Sequence, residues 1–349
     1  MTLELKQATK VTRGITHIKP TSLVLETGHF NVLLGQTGAG KTSLIKLMAG
    51  LDPLASGQIF FDGQDVSKLS TQKRNISLVH QFFVNYPQMS VYDNIASPLR
   101  VAGMAKSEID DRVQEAAKLM KLEPMLKRRP QELSGGQQQR CALARAIAKE
   151  SRAVFLDEPL ANLDYKLREE LREQLPELFA GRGAVVVYAT SEPEEALLLG
   201  GRTALMEDGV VTQFGPTAEI YRNPANLTAA SVFSDPPINV LDVTSEKGGI
   251  WGGGNLTWNA DDRSASEGQY HFAIRPHHVR PTRGSDADVE VTGRIQVTEL
   301  SGSETSAHFE VQGRSWVSLA HGVHPYRVGE EHTFYMDPAD GLYFANGAA

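Results

Sequence analysis

Gly35-Gln36-Thr37-Gly38-Ala39-Gly40-Lys41-Thr42 fits the pattern G-x-x-x-x-G-K-[ST]. The apolar run Asn31–Leu34 precedes it, and a helix-like run, Ser43–Met48, follows. Strand, glycine-rich turn and helix in this order predict a phosphate cradle. Glycines let the backbone curl so that consecutive N–H groups face one point. The helix behind the turn adds its positive N-terminal end. Lys41 is then expected to reach the β- and γ-phosphates of a nucleotide, and the Thr42 hydroxyl to ligate Mg2+. By itself the motif means nucleotide binding, and it suits a kinase or a GTPase as well.

Outward from this loop, four short apolar segments read as strands of a buried sheet: Ser22–Leu25, Phe30–Leu34, Ala153–Leu156 and Ala184–Tyr188. Helical stretches such as Glu108–Lys121 and Gln137–Lys149 lie between them. The alternation predicts an α/β layer fold with a mainly parallel sheet. The strand Ala153–Leu156 runs into Asp157-Glu158. Its C-terminal end is where α/β sheets bind ligands. Asp157 is suited to hold Mg2+, directly or through water, and Glu158 to polarise an attacking water. The plainer reading is a helix N-cap beside a surface carboxylate. After about Pro224 the character changes. Asp235-Pro236-Pro237 reads as a connector, and beyond it strand-like alternation dominates. The expected division is a domain over 1–235 and an all-β, barrel-like domain over 236–349.

Leu133-Ser134-Gly135-Gly136-Gln137 opens the helical run that follows Pro130. A capped helix start explains Ser134 but not two glycines and Gln137. Phosphate loop, acidic pair and this segment together closely resemble the ABC ATPases. The resemblance implies a cassette whose helical subdomain spans about 84–150, followed by an oligonucleotide-binding-like β-domain. It implies ATP and Mg2+ as ligands, held by Gly35 to Thr42 and Ser43. Thr42, Gln81 and Asp157 would serve the metal. Lys41, Gln81, Glu158 and Ser191 would be catalytic. Ser134, Gly135, Gly136 and Gln137 would close over the nucleotide of a facing subunit. Gln81 falls at the family's Q-loop, and Asn162-Leu163-Asp164 matches its D-loop. Phe82 to Arg100 matches the groove that receives a permease helix, and an ordinary helical surface is the alternative. Glu219-Ile220-Tyr221-Arg222-Asn223-Pro224 and Phe272-Ala273-Ile274-Arg275-Pro276 resemble the import subfamily for sugars, polyols and glycerol phosphate.

Two positions depart from the family. Ser191, after Val187-Tyr188-Ala189-Thr190, stands where the family has a switch histidine. A serine has a shorter reach and no cationic form near neutral pH. Residues 1–29 contain no Phe, Tyr or Trp to stack on adenine, and His17 is the weaker platform there. The sharper expectation is an asymmetric pair with a different ATPase subunit, as the similarity to ATPase subunits of bacterial glycerol importers implies. Drift, with substitutes doing both jobs, is the alternative. Two permease subunits and, indirectly, a solute-binding protein complete the expected partners. A regulatory nucleotide-binding subunit with little turnover and a soluble ABC ATPase are the rival functions.

Composition limits the rest. The chain has 349 residues and a net charge of −7, which argues against nucleic-acid binding through a broad basic surface. No apolar run approaches the ~18 residues of a spanning helix. The expected location is therefore peripheral, on the cytoplasmic face of a bacterial inner membrane. Cys141, the only cysteine, sits among Ala142, Leu143 and Ala146 and reads as core. Lys166–Glu173 reads as a solvated helix face. His277 and His278 would point to opposite faces of a strand, and His321 with His324 lacks the ligands that would complete a metal set.

Overall fold

A computed structural model describes the chain apart from residues 162, 180, 182, 254, 255, 261–266 and 347–349, and the side chain of residue 167. The chain divides into two units, Met1–Asn223 and Pro224–Ala349. The first unit runs β1 (Thr2–Thr12), β2 (Ile15–Glu26), β3 (Phe30–Leu34), α1 (Lys41–Ala49), β4 (Ser56–Phe61), β5 (Gln64–Asp65), α2 (Thr71–Arg74) and β6 (Ile76–Val79). It continues with α3 (Val91–Val101), α4 (Lys106–Leu119), α5 (Gly135–Ala148), β7 (Ala153–Asp157), α6 (Tyr165–Phe179), β8 (Val185–Thr190), α7 (Pro193–Leu199), β9 (Arg202–Glu207), β10 (Val210–Pro216) and α8 (Thr217–Arg222).

Every residue of β3, β7 and β8 is buried. Such unbroken apolar runs belong to strands covered on both faces, as parallel sheets require. They sit in a six-stranded sheet of order β10-β9-β3-β8-β7-β6. All its pairings are parallel except the β9–β10 hairpin. Ser22–Leu25 belongs elsewhere. It lies in β2 of a four-stranded antiparallel sheet, β2-β1-β4-β5. There Leu23 and Leu25 are buried while Ser22 and Val24 are exposed. This period of two marks a strand with one wet face, which corrects the expectation of a single buried sheet. One apolar cluster joins the two sheets through α1, with Leu44, Leu47 and Met48 between Leu3, Leu5 and Phe61 and Leu33, Phe155 and Val187.

Helices α3, α4 and α5 form the helical part. Ser90 caps α3 by accepting from the Asp93 amide at 3.0 Å. Pro98 interrupts α3 and cannot donate to the Asn94 carbonyl; the Ser97 hydroxyl donates to it instead, at 2.8 Å. Cys141 is buried in α5 and its thiol is pushed up to about 11 by desolvation. On α6 the stretch Lys166–Glu173 is less solvated than expected. Leu171 is buried, and Arg168, Glu169 and Glu170 are half-buried.

The second unit begins with α9 (Leu227–Val232), followed by β11 (Asn239–Glu246), β12 (Gly249–Trp251), β13 (Thr257–Asn259), β14 (Gly268–Ile274) and β15 (Val279–Arg280). It ends with β16 (Val289–Ser301), β17 (Glu304–Val311), β18 (Arg314–His321), β19 (Glu331–Met336) and β20 (Leu342–Ala345). Two five-stranded sheets, β13-β12-β11-β14-β20 and β15-β19-β16-β17-β18, share a core that includes Phe272, Phe309, Trp316 and Phe334. The division between the units falls before the expected connector, because Ala230 of α9 packs with Ile238 and Ala273. His277 and His278 lie in a helical turn and not a strand, so their rings meet at 4.3 Å, and His278 Nδ1 is 3.0 Å from Asp340 Oδ2.

Arg74 ties several loops of the first unit together. Its buried guanidinium donates to the carbonyls of Leu47 and Met48 at 2.9 and 2.8 Å, and to those of Leu69 and Ser67 at 3.0 and 3.1 Å. Two of these carbonyls are in the last turn of α1, where a cation also suits the helix dipole. Arg74→Met should destabilise the first unit by about 3 kcal/mol, since several buried acceptors lose their donor. Chemical denaturation followed by the transition of that unit checks it.

Candidate functional site

The C-terminal ends of β3, β8 and β7 lie side by side. Leu34 pairs with Thr190, and Ala189 pairs with Asp157. The phosphate-loop segment, Ser191 and the acidic pair therefore leave the sheet at one edge. Gly35 passes so close to β9 that a Cβ there would lie 2.3 Å from the Met206 carbonyl oxygen. Gly40 holds φ at 104°, a left-handed value at the entry to α1. Gln36, Thr37 and Gly38 are exposed, and Ala39 is buried.

Lys41 is 5% exposed and folds back over its own loop, donating to the carbonyls of Gly35 and Gln36 at 2.7 and 3.2 Å. Its Nζ is also 3.3 Å from Glu158 Oε1. Gln81, in the segment after β6, donates from Nε2 to Glu158 Oε2 at 2.9 Å. Lys41, Glu158 and Gln81 thus form one continuous contact chain. Glu158 has φ of 47°, an uncommon backbone for a side chain of its size. Its amide donates to the Ala189 carbonyl at 3.0 Å.

Thr42 donates from its hydroxyl to Asp157 Oδ1 at 2.9 Å. Asp157 is 2% exposed. Burial pushes its carboxyl above the ordinary range, against the Thr42 hydrogen bond and the nearby Lys41 charge, which pull it down. A hydroxyl oxygen and a buried, under-compensated carboxylate side by side suit a hard cation such as Mg2+. Ser43 accepts from Lys10 Nζ at 3.2 Å. His17 is exposed on β2, whose backbone runs beside Gly40 and Gly209.

Ser134 caps α5. The Gln137 amide donates to Ser134 Oγ at 3.4 Å, and the Ser134 amide to Gln137 Oε1 at 3.1 Å. Ser134 and Gly135 are exposed. Among the described residues no hydrogen bond links Ser134–Gln137 to the phosphate loop. The intervening segment is fastened to α5 instead. Asn85 Nδ2 donates to the Gln138 carbonyl at 2.8 Å, and Arg145 Nη2 to the Val84 carbonyl at 2.6 Å. Of the expected D-loop, Asn162 lies outside the described residues, Leu163 is buried, and the Asp164 carbonyl accepts the Arg168 amide.

Sequence reasoning missed a buried cluster behind Ser191. The Tyr188 hydroxyl donates to Glu195 Oε2 at 2.9 Å, and Glu195 is 3% exposed. Desolvation raises both groups above their ordinary ranges. The available signal was helical spacing, since Glu195 shares the inner face of α7 with Ala196 and Leu199.

The ABC transporter family matches residues 18–161, and the TOBE domain family matches residues 272–344. The sn-glycerol-3-phosphate import ATP-binding protein UgpC of Yersinia pestis bv. Antiqua (strain Antiqua) is 36% identical over 362 residues, covering 98% of this chain and 96% of its own. The protein of that name from Salmonella typhimurium (strain LT2) is 38% identical over 311 residues, covering 88% and 87%. This chain belongs to the ATP-binding subunits of ABC importers. Among solved structures, the ATP-binding cassette MJ0796, a dimer in a post-hydrolysis state bound to ADP and Pi, superposes with a TM-score of 0.56. That match is 28% identical and covers 62% of this chain and 98% of the cassette.

The importer subunit is thus an ATPase, and no helix among its described residues is long and apolar enough to cross a membrane. Its buried Asp157 carries a cost in stability. An ionised carboxyl whose folded pKa lies above its ordinary 3.8 costs stability. The cost sets in as pH rises through 3.8 and is complete above the folded pKa. Asp157→Asn carries no such cost and keeps an acceptor for Thr42. Near neutral pH it should raise the melting temperature of the nucleotide-free importer subunit. It should also weaken Mg-ATP stabilisation at least about tenfold in apparent affinity. Thermal unfolding across pH, with and without Mg-ATP, reads both effects.

Proposed function

We propose that this subunit hydrolyses Mg-ATP at the edge where β3, β8 and β7 end, and that the hydrolysis drives uptake of a polyol or glycerol-phosphate solute. The Lys41–Glu158–Gln81 contact chain carries the reading. In it a cation, a carboxylate and a carboxamide sit together beside a phosphate loop. The backbone of Gly35 to Thr42, with Ser43, cradles the phosphates. Lys41 leaves its carbonyl partners for the β- and γ-phosphates. This frees Glu158 to orient and polarise the attacking water. Thr42, Asp157 and the Gln81 carboxamide oxygen hold Mg2+, whose charge would offset that of the phosphates.

Ser134, Gly135, Gly136 and Gln137 serve a nucleotide on a facing ATPase subunit. The exposure of Ser134 and Gly135 and the segment's lack of hydrogen bonds to its own phosphate loop, among the described residues, favour that role. The partner is a different chain that keeps a histidine where this one has Ser191. Ser191 leaves the sheet between the phosphate loop and the acidic pair, where its hydroxyl touches the nucleotide more weakly than an imidazole. Permease subunits bind a groove of about 720 Å³ lined by Tyr86, Met89, Pro98, Val101 and Arg145, next to exposed Phe82 and Val84. The subunit then lies on the cytoplasmic face of the membrane, and residues 236–349 regulate or dimerise. The glycerol-phosphate solute rests on the names of the relatives.

Glu158→Gln should lower ATP turnover at this subunit's own site at least about 100-fold while ATP still binds there. Lys41→Ala should lose ATP binding itself. Turnover at the wild-type rate in both variants would defeat the reading. Mass spectrometry of the intact transporter should find a second, different ATPase at equal copy number. Two copies of this chain alone would defeat the asymmetry.

A further inference from the structure

Ser191 is exposed, and its place depends on what holds the residues beside it. On one side Thr190 is paired with Leu34 in the sheet. On the other side Glu192 is held by charge. Arg168 Nη1, on α6, donates to both carboxylate oxygens of Glu192, at 2.8 and 3.0 Å. The Glu192 amide donates to Thr190 Oγ1 at 3.0 Å, closing the turn across Ser191. One turn further along α6, Arg172 Nη1 is 3.5 Å from Oε2 of Glu194, two residues beyond Glu192. The Arg168 amide bonds to the Asp164 carbonyl at 2.9 Å, so the same residue closes the first turn of α6.

Two features set this pair apart from an ordinary surface contact, which contributes little. One guanidinium nitrogen reaches both carboxylate oxygens, and the Arg168 side chain is only 26% exposed. Arg168 also sits in the first turn of α6, where helix dipoles favour acids, and that turn has none. The local helix gives no reason for a cation there; Glu192 does.

We infer that Arg168 and Glu192 are a positioning pair for ATP hydrolysis. They hold Ser191 between the phosphate loop and the acidic pair, and they tie it to Leu163 and Asp164 ahead of α6. The inference rests on the roles proposed above for Lys41, Glu158 and Ser191. A displacement of about 1 Å in such a group costs up to ~100-fold in rate.

The test is steady-state ATP hydrolysis by the assembled transporter, with the Glu158→Gln rate subtracted as the background from any second ATPase site. Glu192→Gln keeps the side-chain shape at a half-exposed position, so it also covers the case in which Arg168→Met fails to fold. Each single variant should lower kcat about tenfold or more, with KM for ATP nearly unchanged. The charge swap, Arg168→Glu with Glu192→Arg, should recover most of the loss. Wild-type kcat in Glu192→Gln, a loss expressed in KM, or no recovery in the swap overturns the pair. Failure of the underlying site would look different, since Lys41→Ala would then hydrolyse ATP normally.

Discussion

The position of β8 between β3 and β7 is the constraint on which the site depends. Parallel pairing aligns Leu34 with Thr190 and Asp157 with Ala189, so three chain segments leave the sheet at one level. A slip of one residue would turn the Asp157 side chain to the other face, because strand side chains alternate. The burial of all three strands removes that freedom, since each face must meet apolar neighbours. The rigidity of the core thereby sets the precision of the edge.

At that edge the charges are arranged against stability. Asp157 is buried against a hydroxyl and, among the described residues, has no ion-pair partner within contact distance. Glu158 holds a left-handed backbone, and Lys41 is turned onto carbonyls of its own loop. The burial of Asp157 and the backbone of Glu158 cost free energy in the nucleotide-free chain. Phosphates would draw Lys41 outward, and a divalent cation would compensate Asp157.

The helical part is joined to this edge through Gln81 and the segment from Phe82 to Met89. Gln81 bonds to Glu158, while Val84 and Asn85 are fastened to α5 by Arg145 and through Gln138. Asn94, fully buried, bonds to the Tyr86 amide and to the Tyr86 and Met89 carbonyls, fixing the same segment to α3. A force applied near Tyr86 would therefore reach both Glu158 and the helix that begins at Ser134.

Local chemistry made much of this legible in the sequence. The glycine pattern, the carboxylates at a strand end and the Ser134 cap each act over a few residues, where backbone geometry is set by neighbours. The buried strands were also readable, because a continuous apolar run requires cover on both faces. Ser22–Leu25 was misplaced because a short apolar run does not say which sheet will cover it. The sequence by itself determined the residue types that can hold a phosphate and a metal, and that the chain would alternate between strand and helix. Only the tertiary structure decided strand order, and with it the meeting of Lys41, Glu158 and Gln81 and the grip of Arg168 on Glu192. Those contacts join residues far apart in the chain, and pairing at that range is set by which faces must be buried together.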